Sequence, residues 1–459
     1  MLSNIKKIAV LVALCMLFSL AACTGATTSG TTATTAGTTA VATTAATTAG
    51  EAVELTIVHQ YPREDMANSH DGTIWNDMTD KYVADHPDAK FNISGINQAE
   101  LHIKIQAQAA ADDLPDVFML KGSWVSNFVK SELLLDFTPY LENCPWKDAY
   151  KPVTFKPFTR DGKLYGMPVQ FASTSFVYYN ADLWASIGYD KFPDNWDDVI
   201  AAAAMFNEKN IIPIAAGNKD KWFFESCWFS TLGDRFTGTE WTTNVIANNG
   251  KAKFTDPDFV SALSFLQNLI QKNLCNVDFN AITNAQSIAL YSEGKAATTI
   301  DGYWAISAIL NQGTPELIKA TKMAIMPKVP NQKGEANAAS GGGGWSIATS
   351  SRTTGAAKDM AADYCLYITG QDYSKRLAED YGEIGACNVE AVDVTKFDQL
   401  IQDYVALVGS INFTPIYDIE MDGAVIEVMN SSMQEMLNGT KTPQQVAEEI
   451  QAEQDKLSK

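Results

Sequence analysis

The amino-acid sequence predicts an α/β fold beyond residue 50, and three observations support this prediction. Segments rich in β-branched residues alternate with segments of helical spacing from residue 52 onward. The first five segments run strand, helix, strand, helix, strand, which is the order of a mainly parallel sheet. The alternation continues for about 400 residues, enough for two domains with substantial cores.

The amino-terminal elements follow from their residue patterns. A first strand is predicted over 52–61, where apolar residues alternate with polar ones. A helix is predicted over 72–88, because Ile74, Met78 and Tyr82 share one face at helical spacing. The elements predicted next are a strand at 90–96, a helix from residue 99 and a buried strand at 117–120.

The middle of the chain repeats this alternation. A helix is predicted from a cap at Asp194 or Asn195, with Asp197 and Asp198 in its first turn, where the helix dipole favours anions. The other predicted elements are a strand at 175–180, a short helix ended by Gly188, a strand at 211–216, a helix at 256–273, and strands at 296–301 and 322–329. A strongly helical part follows, and alternation of this length favours two lobes over one sheet.

The overall charge excludes some classes of partner. The formal net charge is −20, so nucleic acids and anionic membrane surfaces, which are themselves negative, are poor partners. We therefore expect no nucleic-acid binding. An acidic body of this kind suits a protein that works outside a cell.

The first 23 residues have the layout of an export signal. Lys6 and Lys7 form a positive region, and residues 8–18 form an apolar segment that is too short to span a bilayer comfortably. The sequence LAAC at 20–23 resembles the lipobox of bacterial lipoproteins. The resemblance implies that residues 1–22 are a lipoprotein signal peptide and that Cys23 carries a lipid anchor; an ordinary signal peptide is the alternative.

Residues 23–50 are predicted to consist of the lipid-carrying Cys23 and a tether that follows it. The segment is rich in Thr, Ala and Gly, has no charge and cannot bury a core. The functional interpretation is a spacer between a membrane and a folded body, and the alternative is a low-complexity segment without a role.

The remaining cysteines are predicted to be buried thiols. They are odd in number and include no C-x-x-C pair, which fits neither a disulfide framework nor a zinc ribbon. These residues are Cys144, Cys227, Cys275, Cys365 and Cys387.

Five blocks, in order along the chain, resemble the family 1 extracellular solute-binding proteins. These are the sugar-binding lipoproteins of ABC importers, related to maltose-binding protein. The most specific block is DGKLYGMP…FVYYNADLWASIGYDKFPDNWDDVIAAAAMF at 161–206. The other blocks are ADDLPDVFML (111–120), YSEGKAATTIDGYWAISAI (291–309), the stretch from GGGGW to EIGA (341–386) and MLNGTKTPQQVAEEIQ (436–451).

The resemblance implies a two-lobed periplasmic-binding-protein-like α/β fold with a hinge and an interlobe ligand cleft. It places the amino-terminal lobe at 51–168 and 300–338, and the carboxyl-terminal lobe at 169–299 and 339–459. It further implies a monomer without a cofactor or catalytic activity, which captures a carbohydrate, expected to be an oligosaccharide. The protein would deliver this ligand to ABC permease subunits from the extracellular face of the bacterial cytoplasmic membrane.

A sugar site needs flat aromatic rings for the C–H faces and hydrogen-bonding groups for the hydroxyls. Trp304, in the sequence DGYW, matches the family position that stacks on a sugar, and Trp345 follows four glycines. Trp124, Trp222 and Trp228 lie where the resemblance places cleft aromatics. The polar candidates from cleft-loop positions are Gln60, Tyr61, Asp116, Lys121, Ser123, Gln170, Ser173, Asp301, Glu383 and Asp422.

Three alternatives stay open. The solute could be a peptide or polyamine instead of a sugar. A secreted glycoside-active enzyme would need paired carboxylates; these residues are plentiful, but no G-x-S-x-G, H-E-x-x-H or P-loop motif is present. Metal uptake is disfavoured because none of the four histidines has metal-ligand spacing to a cysteine or another histidine: His59, His70, His86 and His102.

Overall fold

The computed structural model of the protein describes residues 52–457. The predictions for the signal peptide, Cys23 and the tether lie outside the described residues. The strands are β1 (Val53–His59), β2 (Ala89–Gly95), β3 (Val117–Lys121), β4 (Thr159–Arg160), β5 (Lys163–Leu164), β6 (Met167–Pro168), β7 (Phe171–Thr174), β8 (Phe176–Asn180), β9 (Thr298–Asp301), β10 (Thr321–Ile325), β11 (Ala338–Gly343), β12 (Trp345–Thr349) and β13 (Asn412–Thr414).

The helices surround these strands, and the segment Phe224–Phe229 is wound as a π-helix. The α-helices are α1 (His70–Asp85), α2 (Gln98–Ala110), α3 (Val125–Lys130), α4 (Thr138–Glu142), α5 (Pro152–Phe155), α6 (Ala181–Ala185), α7 (Trp196–Glu208), α8 (Ser230–Thr237), α9 (Thr239–Ile246), α10 (Pro257–Gln271), α11 (Asn284–Ser292), α12 (Ala305–Gln312), α13 (Pro315–Ala320), α14 (Gly355–Thr369), α15 (Gln371–Tyr381), α16 (Gln399–Val408), α17 (Tyr417–Glu420), α18 (Gly423–Leu437) and α19 (Pro443–Leu457).

Helix α1 shows how the local sequence determines where a helix begins and which of its faces is buried. The Ser69 hydroxyl accepts a hydrogen bond from the backbone N–H of Gly72, which satisfies one of the free donors at the helix start. Ile74, Met78 and Tyr82 are all buried, as their spacing predicts. The predicted helix is therefore confirmed, and its apolar face packs into the core.

One predicted cap is confirmed and one predicted strand is wrong. The Asn195 side chain accepts from the backbone N–H of Asp198 at the start of α7. Residues 211–216 do not form a strand and make only single bridges to neighbouring segments. Pro213 explains this difference, because proline has no backbone N–H to donate to a continuous ladder.

The first sheet has the order β2-β1-β3-β12-β6. Strand β1 is parallel to β2 and β3, and β12 runs antiparallel to β3 and β6. Helices α1 and α14 pack on this sheet, and the core between them includes Trp75, Phe118, Ile347 and Tyr364. We call this sheet with its helices the first lobe.

A second sheet, with the antiparallel order β10-β8-β9, organises the other lobe. Its core includes Val177, Trp228 and Ile300, together with residues of α7, α10, α18 and α19. A neighbouring core links this sheet to α11, α12, α13 and α16. We call this assembly the second lobe.

A third sheet, β13-β11-β7, stands where the chain passes between the two lobes. Strand β7 leads from β6 of the first sheet to β8 of the second, and β11 leads from β10 back to β12. The chain returns to the second lobe a last time through residues 388–398, after the first core ends at Cys387. The connection between the lobes is thus made of three chain segments.

The strand pairing corrects the expected lobe boundaries. Residues 300–338 were expected in the first lobe, but β10 lies within them and pairs with β8 of the second. Residues 339–459 were expected in the second lobe, but β12 pairs with β3 of the first. The order of elements along the sequence does not reveal to which lobe a strand belongs, because that depends on the strand with which it pairs. We propose 52–169 with 345–387 as the first lobe, and 175–337 with 394–457 as the second.

The run of glycines in β11 permits close approach from both sides. A Cβ atom on Gly341 would lie 2.4 Å from the Phe413 ring, and one on Gly343 would lie 2.6 Å from the carbonyl oxygen of Thr154. Both contacts are closer than packing allows. The glycines are therefore explained by backbone packing in the connecting sheet, and not by a phosphate-binding loop.

Two further features of the structure concern the cysteines and the lengths of the helices. The prediction of buried thiols is confirmed, because Cys144, Cys227, Cys275, Cys365 and Cys387 are all buried and unpaired. Between residues 52 and 457, the helices are either too short or too polar to cross a membrane.

Candidate ligand-binding site

A cavity of about 230 Å³, the inner cavity, lies at the carboxyl ends of β1 and β3, where ligands bind in sheets of this kind. Gln60 and Tyr61 follow β1, and Lys121 ends β3. The second lobe supplies the opposite wall. The inner cavity is lined by Gln60, Tyr61, Ser69, Asp71, Gln98, Lys121, Gln170, Ala172, Thr174, Trp222, Ser226, Asn284, Tyr303, Trp304, Gly344, Trp345, Ile416, Asp418 and Ile419.

A second cavity of about 580 Å³, the outer cavity, adjoins the first. The two share Gln98, Lys121, Trp222 and Trp345, so they form one continuous cleft. The other residues lining the outer cavity are Ala99, His102, Ile103, Gln106, Ser123, Trp124, Asn127, Lys219, Asp220, Lys221, Gly423, Ala424, Ile426, Glu427 and Asn430.

Each lobe contributes a pair of tryptophan rings to the cleft. Trp124 and Trp345 of the first lobe meet edge to face with ring centres 5.5 Å apart. Trp222 and Trp304 of the second lobe meet in the same way at 5.9 Å. The four rings provide flat apolar surface next to hydrogen-bonding side chains.

The Trp304 ring is held in place by its neighbours. Its Nε1–H points at the side-chain oxygen of Asn284, 3.3 Å away. The ring also occupies the space above Gly302, where an added Cβ would come within 2.3 Å of ring carbons. Asp301 does not line the cavity, but its carboxylate accepts from the Asn284 amide at 2.7 Å and so supports this arrangement. Burial raises the pKa of Asp301 to about 7.

A buried ion pair crosses between the lobes at the base of the cleft. Lys121 donates to the Asp418 carboxylate at 2.7 Å, and their side chains are only 10% and 4% exposed. The second carboxylate oxygen of Asp418 has no hydrogen-bond partner among residues 52–457. Glu225 lies near this pair, and its pKa is raised by burial and then by the negative charge of Asp418.

Asp71 makes a second connection between the lobes. Its carboxylate accepts from the Tyr373 hydroxyl of the first lobe at 2.7 Å and from the Tyr303 hydroxyl of the second at 2.6 Å. Burial raises the pKa of Asp71. Next to it, Glu383 forms a 2.7 Å pair with His70 and does not line either cavity. In this structure the Glu383 carboxylate is thus paired with His70 and is not part of the cavity lining.

Of the predicted residues, the structure brings nine together in the cleft and leaves six outside it. The nine that line a cavity are Gln60, Tyr61, Lys121, Ser123, Trp124, Gln170, Trp222, Trp304 and Trp345. Tyr61 and Gln170 are joined by a hydrogen bond of 3.1 Å from the tyrosine hydroxyl to the amide oxygen. The six outside are Asp116, Ser173, Trp228, Asp301, Glu383 and Asp422.

Asp116 and Asp422 have local structural partners. Asp116 precedes β3, at the end of the strand opposite the cleft, and its carboxylate accepts from Thr56 and Thr353. Asp422 caps α18 by accepting from the backbone N–H of Ala424. Asp116 therefore lies at the end of β3 away from the cleft, and Asp422 lies four residues beyond Asp418, the acidic residue of the same segment that lines the inner cavity.

Trp228 and Ser173 lie inside the protein. The Trp228 ring packs against Trp196 with ring centres 6.1 Å apart in the second core and is completely buried. Ser173 sits on β7 and contacts the Tyr404 hydroxyl at 3.4 Å. The family resemblance suggested a cleft position for Trp228, but this residue lies within the π-helix and its ring is in the core.

Sequence reasoning missed the neutral and acidic residues of the cleft that belong to no motif. Gln98 and Gln106 lie eight residues apart on α2, and this regular spacing of polar residues was a usable signal. Tyr303 directly precedes the predicted Trp304. Asn284 and Asp418 carry no local signal, because only the fold brings them to the cleft.

A two-lobed α/β fold with a ligand-sized cleft between the lobes defines a protein that encloses a small solute. The model of the family described as bacterial extracellular solute-binding protein matches residues 67–362, and the chain belongs to this family. The family resemblance expected from the sequence is therefore confirmed, and it is a family of binding proteins.

Individual relatives agree with this assignment. A lactose-binding protein of Rhizobium radiobacter is 21% identical over 321 residues, which are 68% of this chain and 71% of that protein. The solved structure of a chitin oligosaccharide binding protein is 25% identical, with a TM-score of 0.79 over 89% of this chain and 99% of that one. A structure from work on xylan utilization by Caldanaerobius polysaccharolyticus is 22% identical, with a TM-score of 0.77, and covers 87% of this chain and 99% of that one.

The Lys121–Asp418 pair predicts a specific pattern of stability. Lys121→Met should lower the free energy of unfolding by about 3–5 kcal/mol, because it leaves a buried carboxylate without its counter-charge. The double variant Lys121→Met/Asp418→Leu should recover most of that loss. The measurement is chemical denaturation, with Lys81→Met as the control, since Lys81 pairs with Asp85 on the surface and should change stability by less than about 1 kcal/mol. A single variant as stable as the parent would contradict the assignment.

Proposed function

We propose that the protein captures a carbohydrate, expected to be an oligosaccharide, in the cleft and delivers it to the membrane permease of an ABC importer. The single observation that carries this proposal is the lining of the cleft. Two tryptophan pairs lie beside neutral amide side chains, four of which line the inner cavity: Gln60, Gln98, Gln170 and Asn284. Aromatic faces suit the C–H surface of sugar rings, and amides both donate to and accept from hydroxyl groups.

The chemistry of a sugar explains why both kinds of group are needed in one cleft. A pyranose presents apolar faces and a rim of hydroxyls, so a pocket must offer flat rings and hydrogen bonds in alternation. Asp418 lines the inner cavity, and one of its carboxylate oxygens has no hydrogen-bond partner among residues 52–457, so a sugar hydroxyl can supply one. The ion pair with Lys121 keeps the local charge balanced, which favours a neutral ligand over a strongly charged one.

The relatives support the same class of ligand. They include a lactose-binding protein and a mannitol-binding protein, and a solved structure with the same fold is a chitin oligosaccharide binding protein. These names favour a carbohydrate over the peptide or polyamine that the sequence left open. The proposal has no catalytic step, and the protein acts as a monomer.

Two lobes joined by three chain segments can rotate relative to one another, which is the motion that such a receptor needs. A hinge of this kind lets the lobes close on a ligand, and closure brings the second tryptophan pair toward the first. The closed, liganded form is then the one that the permease recognises. Export and attachment through a lipid on Cys23 would place the receptor at the outer face of the membrane, with residues 24–50 as the tether.

Substituting Trp304 tests the site. Trp304→Ala should weaken binding by about 1–3 kcal/mol, because the variant loses a ring that contacts the sugar. Isothermal titration calorimetry would use the tightest binder from a panel of lactose, mannitol, chito-oligosaccharides and xylo-oligosaccharides. The control is Trp241→Ala: Trp241 is also partly buried in the second lobe, but its ring lies away from the cleft and donates to Asp256. Unchanged affinity in the Trp304 variant, with a lowered melting temperature, would assign the ring to packing.

Substituting Cys23 tests the anchor. In cells supplied with labelled palmitate, the parent protein should incorporate the label and Cys23→Ser should not, because the thiol is the proposed acceptor. Cys15→Ser is the matched control, since Cys15 lies in the predicted signal peptide and should not affect labelling. Label in the Cys23 variant, or none in the parent, would refute the lipoprotein assignment.

A further inference from the structure

Helix α2 forms the first-lobe wall of the outer cavity with one continuous face. The residues of α2 that line the cavity are Gln98, Ala99, His102, Ile103 and Gln106. The core side of the same helix carries Leu101 and Ile105, both fully buried. At 100° per residue, the cavity-lining positions fall on one arc beside the buried stripe. The helix therefore has one apolar face that packs into the core and an adjacent face that lines the cleft.

The polar members of this face are evenly spaced. Gln98, His102 and Gln106 follow one another at intervals of four residues, which is about 6 Å along the helix axis. This interval is close to the length of one pyranose ring in an extended chain. Ile103 lies between these positions and is 71% exposed, so it presents an apolar surface to the cavity. Such a row can offer one hydrogen-bonding group to each successive ring.

The opposite wall contains an unsatisfied acceptor. Asn430, on α18 of the second lobe, is 8% exposed, and its side-chain carbonyl oxygen has no hydrogen-bond partner among residues 52–457. A buried polar atom without a partner is costly and calls for an explanation. Because Asn430 lines the outer cavity, a ligand hydroxyl bound there is a candidate partner for it.

Aromatic rings of the first lobe lie beside the α2 row. The His102 ring lies 5.0 Å from the Trp124 ring, and Trp124 meets Trp345, which borders both cavities. Trp222 also borders both cavities, and Trp304 lines the inner one. An elongated ligand that enters the inner cavity thus meets aromatic and amide groups that continue into the outer cavity.

We infer that the cleft binds a linear oligosaccharide of more than two rings, with one chain end in the inner cavity and the following rings on the α2 row. This inference rests on the proposed function and adds the length and direction of its ligand. Two residues of the α2 row, His102 and Gln106, should contribute nothing to a single ring, since that ring sits in the inner cavity, which they do not line. They should contribute increasingly as the second, third and fourth rings are added.

The test measures affinity against ligand length. The parent protein and His102→Ala/Gln106→Ala are titrated calorimetrically with chito-, xylo- and malto-oligosaccharides from the monosaccharide to the hexasaccharide. In the series that binds, the parent's affinity should rise with length up to four rings. The double variant should lose about tenfold for the long members and less than about twofold for the monosaccharide. Glu100→Gln, on the solvent side of α2, is the matched control and should follow the parent.

The outcomes separate the inference from the proposed function. An affinity that does not rise beyond the second ring overturns the inference while sugar binding itself stands. An equal loss for short and long ligands in the double variant also overturns it, because the row would then act on the inner cavity. If sugars of every length fail to bind the parent, both the proposed function and the inference fail. Melting temperatures of all variants establish that each is folded.

Discussion

The connection between the lobes is the constraint on which the rest of the structure depends. Strand β11 runs through the middle of the connecting sheet and is buried along its whole length, with β7 and β13 on either side. Its glycines let Phe413 and Thr154 approach the backbone closely. Because the chain passes through this connection, the carboxyl ends of β1 and β3 face the second lobe across a cleft. A side chain on Gly341 or Gly343 would force these segments apart.

The cleft is built from contacts that neither lobe can make alone. The Lys121–Asp418 pair and the hydrogen bond from the Tyr303 hydroxyl to Asp71 join the lobes through buried, charge-assisted contacts. Each lobe also brings one tryptophan pair. Relative movement of the lobes would therefore change the distance between the pairs and the strength of these bonds together. A ligand that contacts both walls would favour the arrangement in which they are close.

Much of the fold could be predicted from local pattern, and less of the site. The buried face of α1 and the Asn195 cap follow from spacing and side-chain chemistry within one helix. The lobe to which β10 and β12 belong depends on strand pairing over long sequence distances, which no local pattern records. For the same reason Trp222 and Trp228 look alike in sequence, although one reaches the cleft and the other fills the core. Residues such as Asn284 become site residues only through tertiary packing.

The most direct test of the account is the melting temperature of the purified protein in the presence of candidate solutes. A ligand that binds only the folded state stabilises it by about 2.7 kcal/mol at one hundred times its dissociation constant. We expect a clear rise in melting temperature with at least one series of oligosaccharides and none with peptides or polyamines. A rise with peptides or polyamines, and none with any sugar, would contradict the assignment of a carbohydrate ligand.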